Sequence, residues 1–184
     1  MKKILPLLLL LSCLAGAQAN SQQIANQPAA ISNSWKQLDR LNYSLQYPND
    51  WDLAESEGIG AVFVILAPLE SKEDKFRENV NLVIEDLKGQ TIDLDRYAKL
   101  SKGQLKAALT NFNLIDSQKK SNGGREYFKA IFTWDDAPFR LKVEQYYWIV
   151  DGKAYVLTFT SEQDKFANFS ETGEKILNTF TFKK

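Results

Sequence analysis

The sequence predicts an α+β domain in which two amphipathic helices lie on an antiparallel sheet of about six to seven strands. Three observations carry that reading: strand-length runs that alternate polar and apolar or are β-branched, Asx-Gly turn signals between neighbouring runs, and two stretches whose apolar residues recur at helical spacing. A length of 184 residues allows one domain around one core. A charged fraction of 25% beside an aromatic fraction of 12% belongs to a folded chain rather than a disordered tail.

The domain is expected over residues 35–184, with no repeat, low-complexity tract or internal linker. Residues 42–47, Asn42-Tyr43-Ser44-Leu45-Gln46-Tyr47, alternate with the two-residue period of a half-buried strand, and Pro48-Asn49-Asp50 ends it. Trp51 begins a second extended piece. Residues 61–67 form a β-branched run bounded by Gly58, Gly60 and Pro68, a strand buried on both faces. The mostly charged stretch 69–77 is a loop, and residues 79–85 are the next strand. Leu94, Tyr97, Ala98, Leu105, Ala108, Leu109 and Phe112 mark a helix capped by Asp93, with Asp95 in the first turn, where the dipole favours an acid.

Four strands follow, over 113–121, 125–134, 140–150 and 153–161. Asn122-Gly123 and Asp151-Gly152 are hairpin signals, because both central residues of such a turn take positive φ. Ser161-Glu162-Gln163-Asp164 resembles a capping box, and Phe166, Phe169, Gly173, Ile176, Leu177 and Phe180 line one face of a closing helix.

Residues 1–19 read as an export signal: Lys2 and Lys3, an apolar run over 4–11, then a small-residue region. The run is shorter than the roughly 20 residues that span a bilayer. Two processing readings compete. Ala17-Gln18-Ala19 is an A-x-A site with cleavage between Ala19 and Asn20; Leu10-Leu11-Ser12-Cys13 resembles a lipobox with acylation at Cys13. The A-x-A cut is favoured, since cleavage before Cys13 leaves a signal of only 12 residues and Leu11 suits a lipobox poorly. Residues 20–34 are then a polar linker or frayed terminus. The product is periplasmic or secreted, and the alternative is an outer-membrane lipoprotein that touches the membrane only through acylated Cys13.

Absent residue types exclude much chemistry. The chain has no His, so no Ser-His-Asp triad, imidazole base or His-ligated metal is available. Its one cysteine, Cys13, lies in the leader, so the domain has no thiol nucleophile and no disulfide. Removing Lys2 and Lys3 with the leader lowers the basic residues from 23 to 21 against 23 acids, so the exported chain has a net charge of −2. Such a balance gives no general pull toward nucleic acid.

Tyr43-Ser44-Leu45-Gln46-Tyr47-Pro48-Asn49-Asp50-Trp51 resembles the opening strand motif of the PsbP-like superfamily, which holds the extrinsic photosystem II subunit and bacterial DcrB-like proteins. Phe76-Arg77-Glu78-Asn79-Val80-Asn81-Leu82, Leu94-Asp95-Arg96-Tyr97, the stretch 151–160 and the closing stretch 176–182 are similar to later segments of that family. The resemblance covers about residues 35–184. It implies an antiparallel sheet sandwiched by helices, in proteins that mostly bind or assemble other macromolecules rather than catalyse. The simple leader, without an Arg- or Ser-rich transit region, argues against a chloroplast origin.

Several constellations bear weighing. Tyr47-Pro48 and Trp51 suggest an aromatic platform, but core packing around a turn explains them. Asp50, Asp52 and Glu55 lack the Gly and closing Glu of a calcium loop. Asp135-Asp136 suit an acid/base pair or a cation, and equally a hairpin loop. Gly58-Ile59-Gly60 lacks the helix and third Gly of a nucleotide loop. Lys119-Lys120 beside Ser121 would be solvated at a hairpin tip, without the desolvation that makes a lysine a base.

On the strand 140–150, Arg140, Lys142, Glu144, Tyr146 and Trp148 share one face. With Trp134 they form the candidate partner-binding patch; the alternative packs the aromatics under a helix while Arg140 and Lys142 reach for water. The expected function is that of an exported, non-catalytic accessory or binding protein docking on an unknown envelope protein, with no cofactor and no metal. A carboxylate-dependent envelope hydrolase using Asp135 or Asp136, and a small-ligand binding module, are the alternatives.

Overall fold

Turn chemistry sets the strand pairing. In the structure, a computed structural model that describes residues 34–55 and 60–183, Asp151 and Gly152 both take positive φ, 49° and 71°. They join β8 (Phe139–Val150) to β9 (Lys153–Glu162) in register from Val150↔Lys153. At the preceding hairpin the positive-φ pair is Gly123-Gly124, and Asn122 pairs with Arg125 at the end of the ladder. The turn thus sits one residue later than the Asn-Gly signal implies, because two glycines reach the left-handed region more readily than Asn. It connects β6 (Thr110–Asn122) to β7 (Arg125–Asp136), and Ala137-Pro138, a cis peptide, connects β7 to β8.

These four strands extend a sheet begun by β3 (Asp52–Glu55), β4 (Phe63–Leu66) and β5 (Asn79–Asp86), in the order β3-β4-β5-β9-β8-β7-β6, every pairing antiparallel. A second, three-stranded sheet of β1 (Trp35–Asp39), β2 (Tyr43–Pro48) and β10 (Thr181–Phe182) was not anticipated from the sequence. It is closed by the chain's last described strand, which pairs Thr181 and Phe182 with Ser44 and Tyr43.

The seven-stranded sheet is covered on both faces, which is the α+β sandwich expected. Helix α1 (Leu94–Ala108) starts where the Asp93 carboxylate accepts from the Arg96 N–H at 2.7 Å. It stops before Leu109 and Phe112, which the helical periodicity had included; Phe112 is in β6 and packs on Phe132 with ring centroids 5.4 Å apart. Helix α2 (Phe166–Thr179) has no side-chain cap. The apparent capping box fails because Ser161 remains in β9, paired with Lys142, so the helix begins several residues later. Gly173 lets α2 lie close: a Cβ there would come within 2.6 Å of the Phe159 ring.

The layers alternate by residue parity. On β8, Leu141, Val143 and Tyr147 join cores that include Leu105 and Tyr97 of α1, whereas Tyr146 and Trp148 join the core that includes Ile176 and Leu177 of α2. Among the described residues no helix is long and apolar enough to cross a membrane. The expected leader, with Cys13, Ala19 and Asn20, lies outside the described residues, as do residues 20–33 and Gly58.

Candidate functional site

Four aromatic side chains on the α2 face of the sheet meet around one tryptophan. Trp148 of β8 lies 5.6 Å from Tyr127 of β7, 5.8 Å from Tyr146 and 5.1 Å from Phe180, the residue that ends α2. Phe182 of β10 adds an edge contact to Trp148 at 5.9 Å. Chain entry into β10 therefore brings the carboxyl-terminal segment over strands that are sequence-distant, and the last aromatics complete the cluster.

The cluster is not sealed. Between the β6–β7 turn, the end of α2 and β10 there is a cleft of about 310 Å³, lined by Arg125, Tyr127, Tyr146, Trp148, Asn178, Phe180 and Phe182 among others. Its volume sits at the lower end of small-ligand sites, about 300–1,000 Å³. The Tyr146 hydroxyl donates to the Asn178 side-chain oxygen at 3.2 Å, which fixes both groups in the wall. Burial, then the Glu144 carboxylate, pushes the Tyr146 hydroxyl far above the ordinary phenol range, so it stays a neutral donor.

The charges of the lining are one-sided. Among the described residues no carboxylate lines the cleft, while Arg125 and Lys183 do. Lys183 is engaged with Asp39 at 2.7 Å. Arg125 is exposed, its guanidinium lies 4.7 Å over the Phe182 ring, and it enters none of the ion pairs among the described residues. Behind the cleft, Lys129 of β7 sits 2.6 Å from Glu144 and 2.8 Å from Glu174 of α2. Burial alone would lower the Lys129 pKa, but the two carboxylates outweigh it and hold it raised. The buried positive charge of Lys129 is thus already matched, and among the described residues of the lining Arg125 is the cation without an ion-pair partner.

The expected patch resolves into separate places. Tyr146 and Trp148 come together in the cleft, at 2% and 7% exposure, so the alternative in which the aromatics pack under a helix is the arrangement observed. Lys142 lies further along the same face with its ammonium 4.2 Å over the Phe166 ring, and Arg140 is exposed beyond it. Trp134 is not on this face. It is buried among Leu105, Phe132 and Leu141 on the α1 side, with no hydrogen-bond partner for its indole N–H. Arg125, Tyr127, Phe180 and Phe182 were missed as members; Tyr127 is set beside Trp148, one rung beyond the Phe128↔Tyr147 pair, only once the register is known.

The remaining candidates are structural. Asp52 bonds Arg77 at 2.6 Å and Glu55 bonds Arg40, so these two acids point to different arginines rather than to one cation. Tyr47 and Trp51 are buried core. Lys119 is in β6, 2.6 Å from Asp95, rather than at the hairpin tip, and Lys120 and Ser121 are exposed strand neighbours. Asp135 accepts from the Asn111 side-chain amide at 2.6 Å, and Asp136, the next strand residue, points to the other face. Among the described residues no three acidic side chains are grouped as a metal site requires.

A sequence profile described as PsbP matches residues 39–182. No curated protein matches the chain. Among solved structures, the chain is similar to cyanobacterial PsbP (CyanoP) of Synechocystis, at 15% identity and a TM-score of 0.59 over 88% of this chain and 98% of that one. It is similar at 10% identity to PA94, a protein of unknown function from Pseudomonas aeruginosa, with a TM-score of 0.60 over 82% of this chain and 98% of that one. A third is LpqN of Mycobacterium tuberculosis, described as involved in cell envelope biogenesis: 15% identity, TM-score 0.61, 83% of this chain and 93% of that one. At such identities these likenesses speak for the fold alone.

Proposed function

The chain belongs to the PsbP family, and from that premise we propose that it is an exported, non-catalytic accessory protein of the bacterial cell envelope that docks on another envelope component through the Trp148 cleft. The leader supports export, to the periplasm or beyond if cut before Asn20, or to an outer-membrane anchor if acylated at Cys13. The observation that carries docking is the cleft itself. Among the described residues it gathers five aromatic rings, a cation without an acid partner and no carboxylate, a composition suited to anchoring a partner side chain. The hydrolase reading loses support from Asp135 and Asp136, whose side chains diverge and so cannot flank one bond.

The test is site-specific photo-crosslinking in living cells of the native host. A crosslinking residue at Thr181, on the exposed cleft rim, is expected to join one discrete partner, and Trp148→Ala is expected to abolish the product. The same residue at Leu100, exposed on α1 across the sheet, is expected to capture none. Equal capture from both positions, or none from Thr181, overturns docking through the cleft.

A further inference from the structure

We infer that the cleft receives the carboxyl-terminal residue of a partner polypeptide, its apolar side chain against the aromatic wall and its terminal carboxylate on Arg125. The inference rests on the docking reading above and names the chemistry of its ligand.

Three features of the site select that ligand. The first is charge. Among the described residues Arg125 and Lys183 are the ionic groups of the lining, Lys183 is satisfied by Asp39, and no acid of the lining pairs with Arg125. An anion is therefore the complement the site lacks. The second is the posture of Arg125. Its guanidinium lies 4.7 Å over the Phe182 ring, which holds it at the cleft, and its N–H groups make no ion pair among the described residues. A guanidinium is a planar fork whose N–H groups match two carboxylate oxygens. The third is the composition and size of the remainder. Tyr127, Trp148, Phe180 and Phe182 offer apolar surface beside the cation, within about 310 Å³. That space admits one large side chain and not a folded element. A chain terminus combines a carboxylate and an apolar side chain in one residue; an internal Asp or Glu supplies the anion without the apolar body. Asn178 and Asn122, also in the lining, supply side-chain amides to the same cleft.

The chemistry is shared by a free acid of the same shape, so the test separates the sources. Calorimetric titrations of the mature protein use four probes: a ten-residue peptide ending in Phe with a free carboxylate, the same peptide amidated, N-acetyl-phenylalanine, and its amide. The free-carboxylate peptide is expected to bind about ten- to a hundredfold tighter than the amidated one, the range of a hydrogen bond to a charged group. Arg125→Gln is expected to erase that ratio, and Arg125→Lys to restore some of it; Arg125 is exposed at a turn, so neither variant threatens the fold. Equal binding of acid and amide, or of none of the probes, overturns the inference. N-acetyl-phenylalanine binding as tightly as the peptide overturns the polypeptide occupant in favour of a small acid. Crosslinking from Thr181 that succeeds while acid and amide bind alike refutes the carboxylate anchor and leaves docking standing. Failure of the crosslinking removes both.

Discussion

The two faces of the seven-stranded sheet are built from alternate residues of the same strands, yet they solve different problems. Toward α1, several buried polar groups are paired with one another, although the Trp134 indole N–H is not. The Tyr147 hydroxyl donates to the Gln145 oxygen, the Gln145 amide donates to Thr158 at 2.8 Å, and the Tyr97 hydroxyl donates to Glu85 at 3.0 Å. Tyr97 also meets Tyr147 edge-on, 5.9 Å between centroids. Toward α2, the same strands carry Tyr127, Tyr146, Trp148, Tyr155, Leu157 and Phe159, and the layer above them is assembled from α2 and the small sheet. That layer ends before it covers the strand tips, and the cleft is the gap. The closed face holds the sheet; the open face leaves part of its aromatic layer accessible at the cleft.

The contrast predicts unequal costs for removing a phenyl ring. Phe132, fully buried on the α1 side, is expected to cost about 3–5 kcal/mol when replaced by Ala, because the cavity cannot fill with solvent. Phe182, at the cleft, is only partly buried, and its Ala variant is expected to cost about 1 kcal/mol. Urea unfolding of the two variants decides it. Equal losses would show that the cleft is core by another name, and the contrast between faces would fall.

A second effect, of about 3 kcal/mol, tests the charged group behind the aromatics. Lys129→Met leaves Glu144, 4% exposed, without its counter-charge; adding Glu144→Leu is expected to recover most of the loss. No recovery would mean that Lys129 acts through packing alone.

How far the sequence showed this division depends on what each feature needs. Asp151-Gly152 and the Asp93 cap are local, since turn and cap residues act on their immediate neighbours, and both appear where expected. Alternation along β8 correctly separated Tyr146 and Trp148 from Tyr147. What covers a face is a non-local question. Phe180 and Phe182 close over Trp148 from more than thirty positions along the chain, and nothing near Trp148 announces them. Trp134 joins the expected patch as the end of the preceding strand, but its partner across the ladder is Leu141, which fixes it on the other face. β1 and β10 are short edge strands whose pairing, not their composition, makes them strands. Ser161 shows the reverse failure: a valid local signal overruled by a sheet ladder.

The smallest expected effect concerns the end of the α2 face remote from the cleft. Glu78 is fully buried; one carboxyl oxygen accepts from the Ser161 hydroxyl at 3.3 Å and the other has no hydrogen-bond partner. Burial pushes its pKa up from the ordinary 4.5, and the nearby Lys165 ammonium only partly opposes this. A carboxyl whose folded pKa exceeds its unfolded one favours folding most at low pH, so its contribution is complete below about pH 4.5 and is lost as pH rises through the folded value. Glu78→Gln keeps the shape and an acceptor for Ser161 but does not titrate. The stability of the variant relative to wild type is therefore expected to grow from pH 4.5 upward, read as the difference in urea midpoint at each pH. Taking the difference cancels the opposite slopes of Asp39 and Asp74, whose pKa values are lowered. On the α1 side Glu85 is also raised by burial, but the Tyr97 hydroxyl donates to it and supports its charge, so Glu85→Gln is expected to give the shallower difference. A flat difference for Glu78, or a steeper one for Glu85, would show that it is the open face whose polar groups are satisfied and the closed face that carries the strain.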